Sequence, residues 1–108
     1  MIRIVEKEID AWILSDREGF AHWMNIPVNK IPDNTQEIED PKRFIINLAR
    51  KSRKKTMKDI VPTGTAKQGP GYNTLIQRFI MEYWDSERAA DHNKSLKKAI
   101  ERIKTFLL

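Results

Sequence analysis

DPKRFIINLARKSRKKTMKDI, residues 40–60, contains the clearest helix start of the chain and its densest cluster of positive charge. Asp40 offers a side-chain oxygen to the amides that a new helix leaves without partners. Pro41 suits the first helical position, where its missing N–H costs nothing. Phe44, Ile45, Leu48 and Ala49 then recur on one face, which predicts an amphipathic helix. The helix runs out into Arg50, Lys51, Arg53, Lys54 and Lys55, cations that also suit the negative end of its dipole. Between Lys42 and Lys58 there are eight basic residues and no acidic one.

Toward the N-terminus, Ile2, Ile4 and Glu6 alternate with Arg3 and Val5, a brief period-two pattern that reads as a short strand. From Ile9 the period lengthens. Ile9, Trp12, Ile13 and Phe20 fit a helix interrupted near Ser15-Asp16. Asp16 can cap a second helix, with Glu18 in its first turn, that turns Phe20, Trp23 and Met24 inward and ends before Pro27. Residues 26–40, with Pro27, Pro32 and Asn/Asp pairs, read as a loop with one short turn.

Toward the C-terminus, Met57, Ile60 and Val61 form an apolar patch ahead of PTGTAKQGPG, residues 62–71. Three glycines and two prolines in those ten residues predict a loop, with Gly71 accommodating an unusual backbone angle before the next helix. From Tyr72 the helical period returns through Leu75, Ile76, Phe79, Ile80 and Tyr83. Asp85 or Ser86 caps a short turn through Ala90, and Ser95 caps a last helix whose face carries Leu96, Ile100, Ile103 and Leu107. The expected core is Trp12, Phe20, Trp23, Phe44, Leu48, Leu75, Phe79 and Ile103.

These elements predict one α+β domain over residues 1–108, predominantly helical, with four to five helices and one or two short strands. At 108 residues and 40% hydrophobic content the chain can bury one modest core. It has no cysteine, which excludes disulfides and thiolate metal sites and makes the cytoplasm the expected compartment. The N-terminus lacks the uninterrupted apolar region of a signal peptide. No stretch approaches the roughly 18–20 apolar residues of a membrane span, so no membrane partner is expected.

The net charge of +5 is unevenly spread. Residues 1–41 hold four basic and nine acidic side chains, whereas residues 42–108 hold sixteen and six. A field of that sign attracts nucleic acid first, or an acidic protein surface. The expected contact residues are Arg50, Lys51, Arg53, Lys54, Lys55 and Lys58, binding weakly and without sequence preference.

Catalytic signatures are sparse. His22 and His92 lie in unrelated segments, which speaks against a nucleophilic triad and against zinc. Gly64 and Gly69 have Walker-loop spacing, but Pro70-Gly71 stands where that loop needs Lys and Ser or Thr, so nucleotide hydrolysis is rejected. Glu6, Glu8, Asp10 and Asp16 are hard oxygen donors of the kind that hold magnesium or manganese, but spacing alone does not show that they converge, and an exposed acidic face explains the same residues.

EIDAWILSDREGF (residues 8–20), EDPKRFIINLARKSRKK (39–55), DIVPTGTAKQGPGYNTLIQRFIMEYW (59–84) and SLKKAIERIK (95–104) together resemble the bacterial family called domain of unknown function 4276, related to Toprim proteins. The most specific pieces are Asp10 to Trp12 followed by Asp16, the Asp40-Pro41-Lys42 helix start, and Gly69-Pro70-Gly71-Tyr72. The resemblance implies the C-terminal half of an α/β metal-binding fold, its early glutamate and Asp-x-Asp pair lying before this chain's Met1. Asp10 and Asp16 are then the acidic positions that approach a magnesium or manganese ion, if a separate N-terminal half completes the site. Asp10 departs from the pattern, since the family usually has glutamate there. Relatives beside ATPases in phage-defence loci imply an ATPase partner and a non-catalytic or partial role in nucleic-acid processing or defence. The residues alone leave two alternatives, a stand-alone basic nucleic-acid-binding module and a protein–protein interaction domain. GYNTLIQRFI also resembles the second helix of ribbon-helix-helix repressors, but the loop stands where that fold needs its preceding helix.

Overall fold

The computed structural model describes residues 2–107, with side chains described for residues 7–105. Six α-helices follow one another among these residues: α1 (Ile2–Ser15), α2 (Arg17–Met24), α3 (Pro41–Lys51), α4 (Tyr72–Glu82), α5 (Ser86–Ala90) and α6 (Lys94–Leu107). Short 3-10 turns occupy Val28–Lys30, Thr35–Glu37 and Lys55–Ile60. No β-strand occurs among the described residues, and the strand expected at residues 2–6 is the start of α1. A five-residue alternation leaves its backbone groups without partners unless a second strand pairs with it, whereas a helix satisfies them internally. No described helix is long and apolar enough to cross a membrane.

The helix starts follow the local signals. Asp40 accepts from the Arg43 amide at 3.2 Å, with Pro41 in the first turn of α3. Asp85 accepts from the Glu87 and Arg88 amides and starts α5. The last helix departs from expectation: Asn93, not Ser95, holds its first turn, accepting from the Leu96 amide at 3.0 Å. Asn93 is buried and fixed from its other side, donating to Thr35 Oγ1 at 3.1 Å, whereas the Ser95 hydroxyl bonds to Glu8.

The core lies between α1, α2, α3, α4 and the Lys55–Ile60 turn. Phe20, Trp23 and Phe79 form its aromatic centre, with Phe20 and Phe79 edge-on at 5.2 Å. Trp12, Phe44 and Leu75 are half-buried, and Ile103 is 58% exposed, against its expected place in the core. The reason is reach: α6 packs through Leu96 near its start, and residues 101–105 all stand in solvent.

The glycine-rich loop closes on the preceding turn. Gly69 and Gly71 donate their amides to the Ile60 and Asp59 carbonyls at 2.8 and 2.9 Å. A Cβ at Gly69 would overlap the Asp59 carbonyl, and one at Gly71 would lie 2.7 Å from the Asp59 Cβ. Gly71 has an ordinary φ of −93°, so close approach and not an unusual angle requires glycine there.

Candidate nucleic-acid interface

The cationic run begins where α3 ends, and two of its residues hold the fold together. The Ser52 hydroxyl donates to the Met24 carbonyl at 2.6 Å, and Lys54 Nζ donates to the Trp23 carbonyl at 2.7 Å. Both carbonyls lie in the last turn of α2, where helical carbonyls lack intrahelical partners. A cation there also suits the helix dipole. Lys54, expected as a phosphate contact, thus spends its ammonium on α2.

The remaining members face outward. Arg50, Lys51, Arg53, Lys55 and Lys58 are all exposed. Met57 and Ile60, buried on the inner side of the 3-10 turn, anchor the segment that displays Lys55 and Lys58. Among the described residues no carboxylate lies within ion-pair distance of these five cations. Arg50 donates to the Asn47 side chain at 2.9 Å.

From Arg50 the ridge continues into an open groove of about 1040 Å³ along α3. Lys42, Arg43 and Lys67 line it beside the carboxylates Asp10, Glu39 and Asp40. Lys42 Nζ donates to Gln68 at 3.1 Å and stands 5.3 Å from the centre of the Tyr72 ring, which ties the glycine-rich loop to α3. Burial, then the charges of Asp10 and Asp40, hold the Tyr72 hydroxyl well above the ordinary phenol range.

The two carboxylates considered for a metal are held apart. Asp10 sits on α1 at the groove, while Asp16 lies in the junction between α1 and α2. From Asp10 the helix runs about 7.5 Å along its axis to Ser15, and Asp16 stands beyond its end as the cap of α2. Asp16 is fully buried and accepts four hydrogen bonds. They come from the Gly19 amide at 3.1 Å, the Asp85 amide at 2.8 Å, Arg88 Nε at 2.8 Å and Arg88 Nη2 at 3.0 Å. Burial pushes its carboxyl up, but these donors and the guanidinium charge more than offset it, leaving the pKa below the usual 3.8. With its lone pairs so occupied, Asp16 caps α2 and fastens the turn before α5. Among the described residues, no group of three or more histidines and carboxylates is arranged to hold a metal ion.

The sequence reading did not foresee Arg88, which follows Asp16 by 72 residues, nor the structural role of Lys54. A long-range pair of this kind leaves no local spacing signal. Comparison with protein-family models, with curated proteins and with solved structures finds no match.

Proposed function

We propose that this chain is a nucleic-acid backbone-binding component, engaging phosphates through Arg50, Lys51, Arg53, Lys55 and Lys58. The observation that carries the reading is that these five cations stand exposed along one segment, with no carboxylate paired to them among the described residues. Phosphate contacts release condensed counterions, and this electrostatic contribution needs neither base reading nor a metal. The short 3-10 turn offers no long helix for a major groove, and among the described residues no row of exposed aromatic rings flanks the cations for base stacking. Binding is therefore weak and independent of sequence, with Kd of about 10⁻⁴ to 10⁻⁶ M near physiological salt.

The resemblance to Toprim-related proteins supports a place in nucleic-acid processing or phage defence, with this chain supplying contacts to the strand and a partner supplying the chemistry. Fluorescence anisotropy with labelled duplex and single-stranded oligonucleotides tests the binding claim. The wild type binds both at low salt, and a variant with Arg53, Lys55 and Lys58 changed to Ala binds more weakly. Equal binding by the two proteins, or none by either, refutes the role of this segment and leaves an acidic protein surface as the better partner for it.

A further inference from the structure

The polar side of α6 carries a second cationic surface, away from the ridge that follows α3. By the helical period Lys94 and Lys98 lie opposite the stripe of Leu96, Ile100 and Ile103, with Lys97, Glu101 and Lys104 toward one edge and Arg102 toward the other. All six polar residues are exposed, five cations against one carboxylate. Among the described residues no carboxylate, Glu101 included, lies within ion-pair distance of these cations. Leu96 is buried and turns the inner end of the stripe toward the chain, so the cations face outward.

The neighbours of the two surfaces differ. The ridge belongs to α3 and the Lys55–Ile60 turn, which pack together, and α3 packs on α1. In turn α1 packs on α5, and α5 on α6. Both α1 and α5 thus stand between the two surfaces in the order of packing.

We propose that the polar face of α6 is a second contact for phosphates, so that one chain holds two segments of nucleic acid, one on the ridge and one on α6. The proposal rests on the reading of the ridge as a phosphate contact and adds a surface which that reading does not use. From Lys94 to Lys104 the cations extend for about 15 Å along a straight axis. Phosphates repeat along a strand, and a cationic row of that length meets several at once, each releasing counterions. A lipid surface is the poorer match, because interfacial helices bind by burying their apolar face, and Lys94 and Lys98 point the other way.

A linking assay tests the proposal: one duplex is fixed to beads, a second carries a fluorophore, and protein is added at low salt. Two variants accompany the wild type, one with Lys97, Lys98, Arg102 and Lys104 changed to Ala, the other with Arg53, Lys55 and Lys58 changed to Ala. The four α6 positions are exposed and alanine favours helix, so circular dichroism is expected to show a folded chain. Wild type retains the labelled duplex on the beads. Each variant still binds a single duplex by anisotropy, through the surface it keeps, but loses linking. An α6 variant that links as well as wild type overturns the proposal and leaves the ridge reading standing. A ridge variant that links as well as wild type refutes the ridge contact, and the pairing of two surfaces with it. Wild type that binds single duplexes without linking them also overturns the proposal. So does retention of wild type, but not of the α6 variant, on phosphatidylserine vesicles when no linking occurs, which reassigns the face to lipid.

Discussion

Replacing Asp16 with Asn separates its structural role from every other reading of this residue. The asparagine keeps the shape but loses the charge, and its amide nitrogen presents hydrogens where two backbone amides and a guanidinium already point theirs. Of the four bonds that Asp16 accepts, the two from Gly19 and Asp85 come from backbone that cannot move without shifting α2 or the turn before α5. Hydrogen bonds to a charged group contribute about 1.5–3 kcal/mol each, and a buried amide left without a partner costs about 1–3 kcal/mol. One amide can still reach the asparagine oxygen. Arg88, about half exposed, turns to water and adds little. The net loss is therefore about 2–4 kcal/mol, a large share of the 5–15 kcal/mol typical of a folded domain. Urea unfolding followed by tryptophan fluorescence reads this directly, because Trp23 is buried in the core. Arg88→Gln destabilises less than Asp16→Asn, since the two backbone bonds survive. An Asp16→Asn midpoint indistinguishable from wild type at unchanged slope refutes the clamp.

Three further outcomes follow from the packing and the electrostatics. Phe79→Ala removes a fully buried ring from contact with Phe20 and Trp23 and lowers stability by about 3–5 kcal/mol, seen as a large drop in Tm. Because the Asp16 pKa is lower folded than unfolded, its contribution is complete above about pH 4 and fades as pH falls through the depressed folded value. An acid titration of Tm steeper in wild type than in Asp16→Asn below pH 4 checks this. Lys54→Met removes a cation that caps α2, so it lowers Tm while leaving the salt dependence of nucleic-acid binding almost unchanged.

Local chemistry made much of this fold legible. Asp16, Asp40 and Asp85 announce helix starts because an N-cap acts within three residues of itself. The stripes through Phe20, Leu48 and Phe79 find the core because their period matches the helix. The short strand failed for the opposite reason, since five alternating residues cannot say whether a neighbouring strand exists. Ile103 was misassigned because a stripe shows that a face is apolar, not that this chain covers it. The asparagine that starts α6 lies two residues before the serine expected to do so, and only its bond to Thr35, from a distant turn, explains the choice. The candidate site divides in the same way. Five exposed cations were visible in the charge run, whereas the use of Lys54 on α2 and of Asp16 on Arg88 depends on contacts between residues distant in sequence.

The salt dependence of binding tests the central claim most directly. Each phosphate neutralised on duplex DNA contributes about −0.9 to the slope of log K against log salt. Changing Arg53, Lys55 and Lys58 to Ala together is expected to make that slope shallower by up to about 2.7, in proportion to the contacts removed. Each single change accounts for its share, and Tm stays near the wild-type value. A slope identical in wild type and the triple variant, with both proteins folded, contradicts the assignment of this ridge as the nucleic-acid contact.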